Sequence, residues 1–338
     1  MYYVAVQPVG DSGSFVTRIV QICQTCALYK ETYIDLPLMC RSNSGTEYNL
    51  AQSAYVTQAG IDLAHDLGMS NQDDKTILMV TFAKSDGISS TPTDESAVCI
   101  YPVTTIREKY LEWINDCSNN ADKQPGCDWS AQQIGIDCGT GTLDDIIGDN
   151  MCDCRSFGKM TCGSLDIVRT AAFITTGSRL TAVTGTTHLT HTAMFTGDSN
   201  GQLKKLKVTN GKSATEYEAI VVVKDNPEIV QNGLVFDTLK NFIYVMSKRQ
   251  ITRIPVENCG QYTDCEECTS ANGVGDPYCG WCSLENKCSR KAKCAGSHDD
   301  NSNRWIGNLG TCPSMVVEPT SAERGQIETV SKLSNGKY

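Results

Sequence analysis

Positive charge is in short supply in this chain. Lysine and arginine number 29 against 39 aspartates and glutamates, a formal net charge of −10. The basic residues are mostly scattered, with a small cluster at Lys204-Lys205-Leu206-Lys207. That balance excludes nucleic acid as a partner, which would need a basic patch or stripe. The cluster itself reads as a solvated strand face. No apolar run approaches the ~20 residues that cross a bilayer. Met1 to Pro8 lacks the basic and long apolar regions of a signal peptide, and no Asn-x-Ser/Thr glycosylation site occurs anywhere. Also missing are G-x-S-x-G, a phosphate-cradling loop and H-E-x-x-H. No catalytic residue, metal or cofactor is therefore assigned.

Cysteine, by contrast, is abundant. Eighteen cysteines point to an oxidising compartment, since a cytosolic chain keeps its thiols reduced. Taken with the absences above, this leads to the expectation of an internal piece of a longer extracellular protein, whose membrane span lies outside this chain. The cysteines are unevenly spread. Ten precede residue 163, none falls between 163 and 258, and eight crowd into 259–312 as Cys259, Cys265, Cys268, Cys279, Cys282, Cys288, Cys294 and Cys312. So short a stretch holds few aliphatic residues for a core, and an even count at tight spacing is the mark of a disulfide scaffold. Spacing alone selects no pairing. Two other readings use the same residues. The pairs Cys265/Cys268 and Cys279/Cys282 have zinc-ligand spacing, though four cysteines would be left over. A redox reading of Cys279-Gly280-Trp281-Cys282 needs a βαβ unit around it, which the text does not show.

Along the chain, β-rich runs alternate with turn signals. Tyr2 to Gln7 and Ser14 to Cys23, separated by Pro8 to Gly13, read as a hairpin. Tyr33 to Leu38 is a strand ending near Cys40. Ala59 to Leu67 has helical spacing and stops at Gly68. Thr76 to Phe82 is apolar on both faces, as a central strand should be, and Ser96 to Pro102 reads as its neighbour. Ile106, Tyr110, Trp113, Ile114 and Cys117 form one helical stripe. Residues 118–162 read as a disulfide-tied insertion. From Leu165 the chain is short strands throughout: Thr192 to Gly197, a turn at Asp198-Ser199-Asn200-Gly201, Gln202 to Val208, Ala219 to Lys224, Leu234 to Asp237, Asn241 to Ser247 and Gln250 to Val256. In Phe242 to Met246 both faces are apolar, which suits a sheet covered on both sides. The whole rhythm fits a propeller.

Isolated candidates for chemistry are weak. His188-Leu189-Thr190-His191 invites a metal reading, but on a single strand positions i and i+3 point to opposite faces. Asp198 to Gly201 lacks the alternating ligands of a calcium loop and reads as a tight turn. Asp73-Asp74, Asp144-Asp145 and Asp299-Asp300 sit in polar loops, where paired carboxylates serve solvation.

Asp276-Pro277-Tyr278-Cys279-Gly280-Trp281-Cys282 resembles the most typical segment of the PSI module, the small cystine knot of plexins, semaphorins and integrins. In that family the module follows a seven-bladed sema propeller. Tyr48 to Tyr55, Asp94 to Cys99 and Ile106 to Tyr110 resemble the second half of a plexin sema domain, and Arg253 to Cys259 joins the modules in the plexin manner. The resemblance implies an all-β chain in three parts. Residues 1–258 are the C-terminal part of a sema propeller, 259–312 a PSI domain, and 313–338 the start of a truncated immunoglobulin-like IPT domain, expected to be poorly ordered. At roughly 40 to 50 residues per blade, the first part supplies about four blades in an open arc. Family pairing implies Cys23–Cys152, Cys40–Cys99, Cys117–Cys138, Cys259–Cys279, Cys265–Cys312, Cys268–Cys288 and Cys282–Cys294. Cys26 and Cys154 follow the ends of one such bridge and suggest a parallel bridge, with Cys127–Cys162 completing the set.

Function follows from the same resemblance. It implies the extracellular part of a plexin-like cell-surface receptor at the plasma membrane, whose protein ligand is a semaphorin docked sema to sema. Receptor dimerisation, signalling through a single span and a cytoplasmic GTPase-activating region in cell and axon guidance are implied with it. The ligand-contact residues are unassigned. Two rivals stand: a scatter-factor receptor, with the same module order and an intracellular tyrosine kinase, and a secreted propeller hydrolase, which needs acids or histidines converging on a channel.

Overall fold

The computed structural model describes residues 1–10, 12–23, 33–70, 74–87, 89–119, 161–224, 227–269, 275–297, 304–307, 310–316 and 332–334. These divide into two compact units. One holds Met1–Thr215, Ala219–Val235 and Tyr244–Thr252; the other holds Glu216–Glu218, Phe236–Ile243 and Arg253–Tyr338.

The first unit is built from β-branched hairpins. β1 (Tyr2–Pro8) and β2 (Phe15–Gln21) pair antiparallel, Tyr2 opposite Gln21, and β3 (Ile34–Arg41) and the short β4 (Glu47–Tyr48) extend the sheet. The chain then forms β5 (Leu50–Gln58), helix α1 (Ile61–Asp66), β6 (Thr76–Ser85) and β7 (Pro92–Pro102). The apolar run of β6 is central, with β5 on one side and β7 on the other. Helix α2 (Val103–Asn119) follows. Its stripe of Ile106, Tyr110, Trp113, Ile114 and Cys117 is buried throughout, because one side of a 3.6-residue period faces the sheets. β8 (Thr161–Cys162) and β9 (Ile167–Thr170) return to β3 as parallel partners, and β10 (Phe173–Thr175) completes the second sheet against β7. A third sheet is the plain meander β11 (Leu180–His188), β12 (His191–Asp198), β13 (Gln202–Asn210) and β14 (Ser213–Val221).

A fourth sheet, of three strands among the described residues, comprises β15 (Leu234–Phe236), β16 (Phe242–Met246) and β17 (Ile251–Pro255). The fold is therefore all-β, with about one sheet per expected blade. In β16 only one face is covered. Ile243 and Val245 are buried, while Tyr244 and Met246 are 37% and 44% exposed. This corrects the expectation that both faces are covered: the alternation of burial shows a sheet packed on one side.

Apolar cores lie between successive sheets. Ile19, Leu36, Leu38, Phe82, Tyr101, Tyr110 and Trp113 share one cluster, and Leu63, Ile77, Met79, Ile100, Met194 and Leu206 share the next. Buried hydroxyls tie the sheets together as well. Thr17 Oγ1 donates to Asn49 O (2.7 Å) and accepts from Ala51 N (2.9 Å). Ser53 Oγ donates to Asn232 Oδ1 (2.7 Å) and accepts from Val183 N (3.2 Å). Such pairing is what allows polar atoms inside a core without a desolvation penalty.

Packing overturns one further expectation. Lys205 and Lys207 do not form a solvated face; they are 1% and 7% exposed. β13 lies between β12 and β14 with both of its faces covered at its centre, so the lysine stems are packed rather than hydrated.

In the second unit, β18 (Gly280–Cys282) pairs with β19 (Lys287–Ser289) and β20 (Trp305–Ile306), and β21 (Ser314–Val316) pairs with β22 (Lys332–Ser334). Most of the 313–338 tail, residues 120–160 of the insertion, which include Asp144 and Asp145, and Asp73, Asp299 and Asp300 lie outside the described residues.

Candidate functional site

The cysteines of the second unit converge because short, capped elements aim them inward. Cys259 begins a 3-10 turn, and Cys265 and Cys268 occupy a one-turn helix whose N-cap, Asp264, accepts from Glu267 N at 2.8 Å. The structure joins Cys259 to Cys279, Cys265 to Cys312, Cys268 to Cys288 and Cys282 to Cys294. In the first unit it joins Cys40 of β3 to Cys99 of β7. Cys23, Cys117 and Cys162 are also disulfide-bonded. The expected Cys23–Cys152, Cys117–Cys138, Cys26–Cys154 and Cys127–Cys162 pairings each involve positions outside the described residues.

These bonds engage the sulfurs that the zinc alternative needs. Among the described residues one group of metal-ligating atoms converges, Cys259, Cys279 and Cys288. All three sulfurs are already in disulfides, and a disulfide sulfur is not the thiolate that binds zinc.

Around the sulfurs a polar frame fixes the turns. Asp276 is fully buried. Its carboxylate accepts from Tyr278 N (3.0 Å) and Asn258 N (2.7 Å), while its own N–H donates to the Tyr262 hydroxyl (3.0 Å). One residue, through its carboxylate and its own N–H, thus ties the entry segment, the first loop and the Pro-Tyr-Cys turn. Gly280 is required next, because a Cβ there would fall 2.3 Å from the Trp305 ring, whose Nε1 donates to Ser289 O at 2.8 Å. Asn258 Nδ2 donates to Glu218 Oε1 (2.7 Å), and Tyr217 OH donates to Val256 O (3.4 Å). The Arg290 guanidinium donates to Asn241 Oδ1 and sits 5.5 Å from the Tyr278 ring centre. Burial pushes the Tyr278 phenol above its ordinary range, aided by the Asp276 carboxylate. Burial also acts to raise Glu257, but the Lys293 ammonium at 3.0 Å and the Cys259 N–H hold its carboxyl below the usual range.

The two histidines lie differently from the reading made on a single strand. Leu189, with φ 52°, and Thr190 form a two-residue turn, so His188 and His191 become cross-strand partners on one face. His191 Nδ1 lies 2.7 Å from Asp62 Oδ2. The 198–201 turn is as expected: Asp198 Oδ1 accepts from Asn200 N (3.0 Å) and Gln202 N (2.9 Å), an Asx turn. Asp74 accepts from Thr76 N at 3.1 Å and faces Arg107 at 3.8 Å, a structural cap. Sequence reasoning missed the hydroxyl ties Thr17 and Ser53. Nothing in the text separates them from any other strand serine or threonine.

Successive antiparallel sheets with apolar cores between them, followed in the chain by a four-bridge knot, define the class. The chain belongs to the sema-domain family: residues 52–237 match the Sema domain and residues 258–313 the Plexin repeat. Plexins stand among its relatives. It is 31% identical to Plexin-A2 of Homo sapiens over 331 residues, 95% of this chain and 17% of that protein. The solved Plexin A4 extracellular region superposes with TM-score 0.80 at 29% identity, covering 94% of this chain and 31% of the other. Drosophila Plexin A in complex with Semaphorin 1b shares the fold at 14% identity and TM-score 0.56, over 92% of this chain and 62% of the other. The chain thus spans about a sixth of the length of the curated relative, 17%.

Proposed function

We propose that this chain is a ligand-binding and stalk segment of a plexin-type receptor on the extracellular side of the plasma membrane, and that its partner is a semaphorin. The observation that carries this reading is the order of the two matches, Sema domain then Plexin repeat, at 29% identity to a plexin extracellular region. A plexin solved with a semaphorin bound shares the sheet arrangement. The plexin relatives favour this over a scatter-factor receptor. On this reading residues 313–338 begin an IPT domain, the span and the GTPase-activating region lie in other parts of the receptor, and this segment binds rather than catalyses.

The test is surface plasmon resonance of the oxidised, folded chain against a panel of semaphorin ectodomains, with a heat-denatured sample as control. Saturable binding to at least one semaphorin, lost on denaturation, is expected. No binding to any member, or equal binding after denaturation, overturns the assignment.

A further inference from the structure

Helix α1 leaves the second sheet and docks on the tip of the third. Gly60 N donates to Thr192 Oγ1 (2.8 Å), and a Cβ at Gly60 would lie 2.4 Å from the Thr190 carbonyl oxygen, so only glycine permits this approach. Asp62 N donates to Thr190 O (3.2 Å). The Asp62 carboxylate accepts from Thr190 Oγ1 (3.0 Å) and lies 2.7 Å from His191 Nδ1. At the far end of α1, Asp66 Oδ2 accepts from Gly211 N in the β13–β14 turn (2.8 Å).

Charge around His191 is finely divided. From α1 come Asp62 and Asp66, with His65 exposed on the same helix. β11 contributes His188, directly opposite His191. β13 contributes Lys207, which is 7% exposed and pairs with Ala193, two residues along the same face from His191. Near neutral pH the Lys207 ammonium and the Asp62 carboxylate offset each other, and neutral His191 donates its Nδ1–H to Asp62.

We propose that this contact is an acid-released latch: a proton taken up at His191 Nε2 detaches α1 from the β11–β12 hairpin and loosens the join between the second and third sheets. The added proton places an imidazolium near Lys207 in a half-buried setting, with Asp62 left to serve both cations. Burial first, and Lys207 second, hold His191 below its ordinary value, against the opposing pull of Asp62. The open form, with His191 in water, therefore takes up the proton more readily than the closed form. The latch is at full strength above the ordinary histidine range and weakens as pH falls through it.

Hydrogen exchange of the intact chain at about pH 7.5 and about pH 5.5, corrected for intrinsic rates, tests this device. Segments 59–68 and 186–193 should lose protection on acidification, by about tenfold for each unit that separates the closed and open histidine values. Helix α2 should be unchanged and serves as the internal reference. His191→Gln keeps a donor for Asp62 without titrating, and it should remove the pH step while leaving the neutral protection in place. His188→Gln should retain the step. Equal protection of the wild type at both pH values overturns the proposal, as does a wild-type step in His191→Gln or loss of the step in His188→Gln alone.

Discussion

The two units reach order by opposite means. In the first, large side chains such as Phe82, Tyr101 and Tyr110 fill the space between sheets, and the Cys40–Cys99 bridge joins strands that this packing already holds. In the second, the buried cluster is largely sulfur itself: Cys259, Cys268, Cys279 and Cys288 around Trp281. A segment this small cannot bury enough hydrocarbon to offset chain entropy, so its cross-links act both on the unfolded ensemble and as core atoms. The sheets have an apolar alternative to sulfur, and the knot has little beyond Trp281 and Tyr278.

The hardest blow to this contrast is reduction. Four bridges at about 2–4 kcal/mol each exceed what a small domain has to spare. Under native conditions a phosphine reductant should abolish hydrogen-exchange protection at 275–289 while β5 to β7 and β11 to β13 stay protected. Simultaneous loss from both regions would show that the sheets depend on sulfur as much as the knot does. The converse substitution is Phe82→Ala, at a side chain with no exposed surface, which should cost about 3–5 kcal/mol of sheet stability. Chemical denaturation followed separately at the sheets and the knot checks it; a cost under about 1 kcal/mol would place the site outside the packed core. Smallest is the acid response of the knot. Glu257 is held below the ordinary carboxylate range in the folded chain, so its contribution is present above the unfolded value and is lost as pH falls. The knot's melting temperature should drop on acidification toward that range, less so in Glu257→Gln; identical pH profiles would remove Glu257 from the account.

How much of this was readable beforehand depends on whether the signal was local. The α2 stripe, the α1 stop at Gly68 and the 198–201 turn are set by residues adjacent on one helix or one turn, and all three were visible. The parallel return of β8 and β9 to β3 was not, because it joins residues more than a hundred positions apart with no repeating pattern between them. β14 begins at Ser213, six residues before the β-branched run at Ala219 that marks it in the text. The lysines of β13 misled for the opposite reason: their charge is plain in the sequence, but the neighbouring strands that bury their stems are not. His188 and His191 turned on a two-residue loop, where one positive φ at Leu189 moves both rings to the same face.

The bond between Cys40 and Cys99 also has a mechanical meaning. Residues 41 to 98 form a closed loop spanning a sequence separation of 59, and that loop is bypassed by any pull transmitted along the chain. Tension entering through β3 passes directly into β7 by a covalent shortcut, so the three strands β4, β5 and β6 contribute no contour length while the sulfurs stay joined. Under load the chain would thus yield elsewhere first, with this stretch held in reserve until a reductant frees it.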